Sequence, residues 1–430
     1  MTIRTDIRRL FLRLYRSRVL ENFGFLSAAN VFGSLIGLIL YPFVIRVLGA
    51  ENYGLYAFAV VIATYPSMLC TYGFHLPASQ RVVSALNLPD LASRRSALSS
   101  VVSTVFTAQL LLVLACFLVF LPLALFVPVI HSHLLLFLLA WCVIINELLH
   151  PVWYFQATKR MRVSSSVSLA VRALSVPLTF VLVRAPDDNL TFMAIVIGTT
   201  FVGSLFAFAY MLLHDGIRLR RPSFSDVWNC YRVSTPYFID IWFSSLKLNT
   251  LHFLVGALFG MRQLAILDLA SKIINIPRYL AKNINAALFP EVWRDIRRRA
   301  VRRLLRAELL IGVVITLVVI ALAYPLTLFL GGKPLFPAFP LSLILAPTIF
   351  AWFVVDGYVH FVFTPTDRSR FVSANQLVAF CSWLVLFFLT YFFTSSLFVS
   401  CASLTLSALG EVLFCHYVTR RHRLLSLLPE

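Results

Sequence analysis

Apolar runs of about 20 residues, long enough to cross a bilayer as a helix, recur twelve times in this 430-residue chain. They lie near 25–47, 53–76, 99–126, 133–156, 164–184, 190–213, 234–259, 263–289, 308–331, 338–363, 370–393 and 396–417. Hydrocarbon offers no partners to backbone N–H and C=O groups, so such runs read as helices. Only 13% of residues are charged, against about 25% in soluble domains. The expectation is an all-α polytopic membrane protein of about 12 transmembrane helices in two pseudo-symmetric six-helix lobes.

Charge placement orients these spans. With the N-terminus inside, the outer loops hold only Arg46, Arg184, Arg262 and Lys333, and the spans hold Arg172, Lys247, Lys272, Arg278 and Lys282. The rest of the 37 Lys and Arg fall on the cytoplasmic side, as the positive-inside rule requires. Both termini are thus expected in the cytoplasm. The net charge of +19 reads as basic loops beside anionic lipid, not as a nucleic-acid surface. Residues 1–21 form a basic amphipathic segment without a small-residue cleavage site, which suits a cytoplasmic interfacial helix better than a cleaved signal. The N-terminal lobe is 22–213 (spans 1–6) and the cytoplasmic linker 214–232. The C-terminal lobe is 233–417 (spans 7–12), with a cytoplasmic tail, 418–430. The seven cysteines sit mostly in apolar runs and read as packing residues.

The two lobes echo one another. An offset of 211 residues lays Gly49 on Gly260, Ala59 on Ala270 and Pro66 on Pro277. Six spans per lobe makes these parallel repeats.

Span 8 is the exception to apolarity. In Leu264–Phe289, the residues Asp268, Asn275, Arg278, Lys282 and Asn283 fall with Lys272 in one wedge of about 160° on a helix. Ile266, Leu269, Ile273, Ile276 and Leu280 take the other side. Each charge at membrane depth costs roughly 3 kcal/mol, so this face is expected to line a cavity for an anionic substrate. Span 7 adds Asp240 and Lys247 on one face with Tyr237 and Ser244. If Asp268 neutralises Lys272 four residues on and Asp240 neutralises Lys282, Lys247 and Arg278 remain for a diphosphate. The alternative is that all are structural pairs. On span 1, Ser27, Asn30 and Ser34 share a face that would line the same cavity or serve helix packing.

Glu147 and Arg172 lie equally far from the loop between spans 4 and 5 and are expected to pair at one depth, as structure or as a gate. Asp356 with His360, and Glu411, are candidate proton sites. The chain has no GxxxxGK[ST] loop, no His/Cys/Glu cluster and no nucleophile with its base. It is read as a non-enzyme with no cofactor and no metal. Short outer loops weigh against an outer-face sugar transferase or polymerase, and Asp187–Asp188 reads as a polar turn.

Three stretches carry a resemblance. In LYPFVIRVLGAENYGLYAFA, Leu40–Ala59, Leu48-Gly49 and Tyr53-Gly54-Leu55-Tyr56 resemble the LG..eyG.Y hairpin of polysaccharide-export flippases. PVWYFQATKRMR, Pro151–Arg162, resembles their w.fqg..km pattern, with Ala157 where Gly is commoner. AILDLASKI, Ala265–Ile273, resembles G.Y..a.ki, with Ala265 and Leu267 replacing Gly and Tyr. The chain thus resembles the O-antigen flippase family of the multidrug/oligosaccharidyl-lipid/polysaccharide (MOP) superfamily. That resemblance implies alternating-access translocation of undecaprenyl-diphosphate-linked oligosaccharide across the cell inner membrane. Ion-gradient coupling is usual in that superfamily, and its form is not fixed by these motifs; from their own placement, Asp240, Asp268, Glu147, Arg172 and Asp356 are the candidates for ion coupling or gating. Substrate would bind Lys247, Lys272, Arg278, Lys282, Asn30 and Asn275. Membrane lipids, a polysaccharide polymerase and glycosyltransferases are the expected partners. A multidrug cation antiporter and a lipid II flippase of the same superfamily are the alternatives; the first calls for an acidic, aromatic site.

Overall fold

The computed structural model describes the backbone of residues 18–294, 298–366, 368 and 370–426, and their side chains except 18–38, 240–241, 243–244, 276 and 279–294. Among the described residues every regular element is helical. All twelve expected spans fall on helices. Spans 1 and 2 share α1, Arg18–Thr71. A short α2, His75–Leu86, leads to α3, Leu91–Phe126, which is span 3. Span 4 is built in pieces: α4 (Pro128–Ser132), α5 (Leu134–Trp141), α6 (Val143–Leu149) and α7 (Val152–Ala157). Spans 5 to 9 are α8 (Met161–Leu182), α9 (Asn189–Asp215), α10 (Phe224–Phe259), α11 (Met261–Arg294) and α12 (Arg298–Gly331). Span 10 combines α13 (Ala338–Leu345), α14 (Pro347–Tyr358) and a π-helical turn at Val359–Phe363. Spans 11 and 12 are α15 (Arg370–Thr394) and α16 (Leu397–Arg421).

Nine helical segments of the described residues are long and apolar enough to cross a bilayer, and Ser245–Phe259 is a shorter apolar helix. The spans outside that set are the first, whose side chains are described only from Ile39, and spans 7 and 8, which carry the ionisable groups. Rows of exposed apolar side chains, such as Leu114, Leu118, Leu121 and Leu125 on α3 or Leu310, Val314 and Leu317 on α12, suit contact with lipid chains.

Both glycines paired by the sequence offset sit at breaks between helices. α1 is broken at Gly49, whose φ of 74° lies where only glycine is comfortable, and Gly260 between α10 and α11 takes φ 93°. The two glycines matched by the sequence offset thus do the same work between spans 1 and 2 and between spans 7 and 8.

The chain forms two compact units. One runs to Phe43 and continues from Ile62 to Ile239. Its core gathers Phe74, Val82, Leu98, Val105, Tyr154, Phe155 and Met211. The other comprises Val44–Val61 and everything from Asp240. Its core includes Val301, Phe361, Phe363, Cys415 and Val418. Within it, Gly54 sits so close to α11 that a Cβ would lie 1.9 Å from the Met261 carbonyl oxygen. Of the cysteines, Cys70, Cys116, Cys230, Cys401 and Cys415 are buried, as packing residues should be, but Cys381 is exposed.

Candidate cationic site

The spacing of α11 makes its first ion pair. Four residues apart, Asp268 and Lys272 face the same way, and the Lys272 ammonium donates to the Asp268 carboxylate. The pair is completed from the other end of the unit. Tyr53, buried to 1% exposure, donates its phenolic hydrogen to Asp268 and accepts from Lys272 at 2.7 Å. Lys272 also stands over the Tyr53 ring, 5.4 Å from its centroid. His252 on α10 lies within electrostatic reach of both charges. Its Nδ1 meets the Leu248 carbonyl at 2.9 Å; a carbonyl only accepts, so that nitrogen carries the proton.

A second network lies on α10, α15 and α16. The Lys247 ammonium donates to Glu411 Oε1 at 2.6 Å and to Ser407 Oγ at 2.8 Å. Ser407 in turn donates to the Ala379 carbonyl at 2.9 Å, and the Asn375 amide reaches Glu411 Oε2 at 3.4 Å. Both charged side chains are only 13% exposed. This corrects one expectation: Lys247 is not left over by local pairing but has a carboxylate from span 12. Its neighbour Arg278 places its guanidinium 4.0 Å from the Trp352 ring centroid, near enough for its charge to act on Lys247. A guanidinium on an aromatic face is held by a cation–π contact that keeps its plane and charge in place. Asn275, one turn before it, is half-buried. The side chains of Lys282, Asp240 and Asn30 lie outside the described residues.

In the first unit, the expected Glu147–Arg172 pair does not form. Glu147 accepts a hydrogen bond from Ser67 at 3.1 Å, while Arg172 is exposed. Equal depth did not fix the direction each side chain faces. Beside Glu147, both amide atoms of Asn146 are buried with no hydrogen-bond partner. Asp356 and His360 do meet, at 3.4 Å, where α14 runs into the π-helical turn. Widened turns of this kind are frequent at functional sites.

Sequence reasoning missed Tyr53 and His252. Tyr53 stands in the quoted LG..eyG.Y hairpin, so a signal was present; His252 offered none. It also missed Asp215, which accepts from Tyr154 at 2.5 Å and from Arg160 at 2.9 Å. Those contacts hold the PVWYFQATKRMR stretch against the end of α9. Outside the spans, Asp188 accepts the backbone N–H groups of Arg184 and Ala185, both at 2.8 Å. They hold its carboxyl below the usual aspartate range. Asp188 is therefore tied into the turn that precedes α9.

The family model described as "Polysaccharide biosynthesis protein" matches residues 19–294. The chain belongs to that family. It is 24% identical over 273 residues to an Escherichia coli (strain K12) protein whose name gives it, provisionally, as an O-antigen transporter. That alignment covers 63% of this chain and 64% of the relative, so just under two thirds of the relative's length is spanned. Among solved structures, the lipid II flippase MurJ in an inward closed conformation superposes with a TM-score of 0.71 at 13% identity, covering 92% of this chain and 87% of that one. An inward-facing multidrug resistance MATE transporter of the MOP superfamily gives 0.67 at 14% identity, covering 90% and 95%. This member of the polysaccharide biosynthesis family therefore has the all-α fold of the MOP transporters.

Proposed function

We propose that this protein is a flippase. Its cargo would be an undecaprenyl-diphosphate-linked oligosaccharide, an O-antigen or exopolysaccharide repeat unit. The cargo passes from the inner to the outer leaflet of the cell inner membrane by alternating access, with both termini of the protein in the cytoplasm. The fold alone does not choose among cargoes, since lipid II flippases and multidrug transporters share it. What carries the choice is Arg278 stacked on Trp352 beside Lys247. Lys247 is paired with Glu411, so the choice rests on Arg278: a guanidinium among apolar helices favours an anion, and its planar fork can grip phosphate oxygens in pairs. A multidrug cation exporter would need the opposite polarity. Lys272, though paired with Asp268, and Lys282 are further substrate-binding candidates, and Asn30 and Asn275 would offer neutral contacts to the glycan. Glu147, hydrogen-bonded to Ser67, and Asp356, paired with His360, are the carboxyls we assign to coupling with an ion gradient, joined by Asp240.

The test is appearance of the glycan on the outer leaflet of a strain lacking its own flippase, normalised to membrane protein level. Arg278→Ala should abolish it, and Arg278→Lys should retain part, because an ammonium neither stacks nor binds in pairs like a guanidinium. Leu310→Ala, on an exposed apolar row of α12, should leave it unchanged. Full transport by a well-expressed Arg278→Ala variant would refute the anionic-cargo reading.

A further inference from the structure

Between α9 and α10 the chain leaves helical geometry at Gly216 (φ 64°) and runs back along α3 as far as Ser223. It is fastened there by side chains spaced along one face of α3. The Arg218 N–H donates to Ser99 Oγ at 3.1 Å and the Arg220 N–H to Ser103 Oγ at 2.8 Å. The Arg220 guanidinium reaches Ser96 Oγ at 3.4 Å. Serines at 96, 99 and 103 recur at the three- and four-residue steps that keep one helix face. The linker is thus a fixed wall, not a loose tether.

That wall and α3 border an open surface groove of about 460 Å³. Phe106, Leu219 and Pro222 give it an apolar side; Thr107, Arg220 and Arg221 give it a polar and cationic one. Arg218, Arg220 and Arg221 are exposed. The nearby carboxylates are engaged elsewhere: Asp215 by Arg160 and Asp226 by Ser223. Among the described residues, no carboxylate comes within ion-pair distance of these three arginines. Just beyond, Phe224 is 84% and Trp228 63% exposed. Exposed Trp side chains are enriched at the level of lipid headgroups, which suits Trp228.

We propose that this groove is a headgroup site for an anionic phospholipid, its phosphate on Arg220 and Arg221 and its first acyl carbons on Phe106, Leu219 and Pro222. A soluble phosphate would use only the cationic half. A zwitterionic lipid would fit the apolar half but leave the arginines without net charge to answer them. The groove shares no residue with the cationic face of α10 and α11, so the proposal does not depend on what the protein transports.

The test titrates the full-length, delipidated protein in neutral detergent with fluorescent phosphatidylglycerol, with phosphatidylcholine as the neutral probe. Arg220→Gln with Arg221→Gln should weaken phosphatidylglycerol binding about 30-fold, the effect of removing two cations near a charged membrane surface. Phosphatidylcholine binding should not change. Arg302→Gln with Arg303→Gln, equally exposed on α12, should change neither. Leu219→Asp, which adds a negative charge to the groove at an exposed position, should reproduce the loss. Equal weakening by the Arg302 and Arg303 variant would show a diffuse basic surface and overturn the site. Tighter, Arg220- and Arg221-dependent binding of undecaprenyl diphosphate than of phosphatidylglycerol would overturn the phospholipid as its occupant.

Discussion

Tyr53 hands its phenolic hydrogen to Asp268, a residue 215 positions further along the chain. With Lys272 donating back to the same phenol, three polar groups satisfy one another where water is scarce. Such groups are costly to orphan. Tyr53→Phe should therefore lower stability by about 1–3 kcal/mol, read as earlier thermal unfolding in detergent. An unchanged unfolding temperature would show that the phenol is dispensable to the pair.

Gly54, next in the chain, is there for backbone approach. Gly54→Ala must push α11 away from the hairpin, an overpacking cost of about 3 kcal/mol. Folded protein should fall sharply by fluorescence-detected size exclusion, more than for Tyr53→Phe.

Removing Glu411 strands the Lys247 ammonium at a site only 13% exposed. Breaking one side of a buried pair costs roughly 3–5 kcal/mol, whereas replacing both partners with apolar groups is often neutral. Glu411→Ala should accordingly lose folded protein, and Lys247→Met with Glu411→Leu should recover it. Recovery of folding without recovery of transport would show that the pair also serves the cargo cycle.

Lys159 takes φ 57°, in the left-handed region. A side chain there costs about 1–2 kcal/mol that glycine avoids. Lys159→Gly should raise the unfolding temperature and leave transport intact, since the Arg160–Asp215 contact beside it is preserved.

Topology is checked separately. Reporter fusions should place Arg94, Arg160, Arg220 and Arg298 in the cytoplasm and Asp187 and Lys333 outside; one clear reversal breaks the twelve-span orientation.

Local rules carried far in this chain. Apolar runs located the helices, and the offset between Gly49 and Gly260 found two breaks at which glycine takes a positive φ. The four-residue step from Asp268 to Lys272 gave a real pair, because a helix fixes both depth and direction over one turn. Across separate helices only depth can be counted. Glu147 and Arg172 were matched in depth, yet one faces Ser67 and the other the exterior. Lys247 was left without a partner for the same reason, because nothing in span 7 announces that Glu411 on span 12 faces it. Tyr53 was visible as part of a motif, but its function there needed the fold.

The distance along the chain between Lys247 and Glu411 bears on how the protein is made. Their 164-residue separation means that Lys247 leaves the ribosome roughly 10–30 s before its carboxylate, at typical elongation rates. Lys272 has no such wait, since Asp268 and Tyr53 both precede it. For that interval an uncompensated ammonium must be held by the insertion machinery or float near a headgroup. Biogenesis of this protein is therefore most exposed to quality-control proteolysis while spans 8 to 11 are being synthesised, before the last helix arrives to neutralise the seventh.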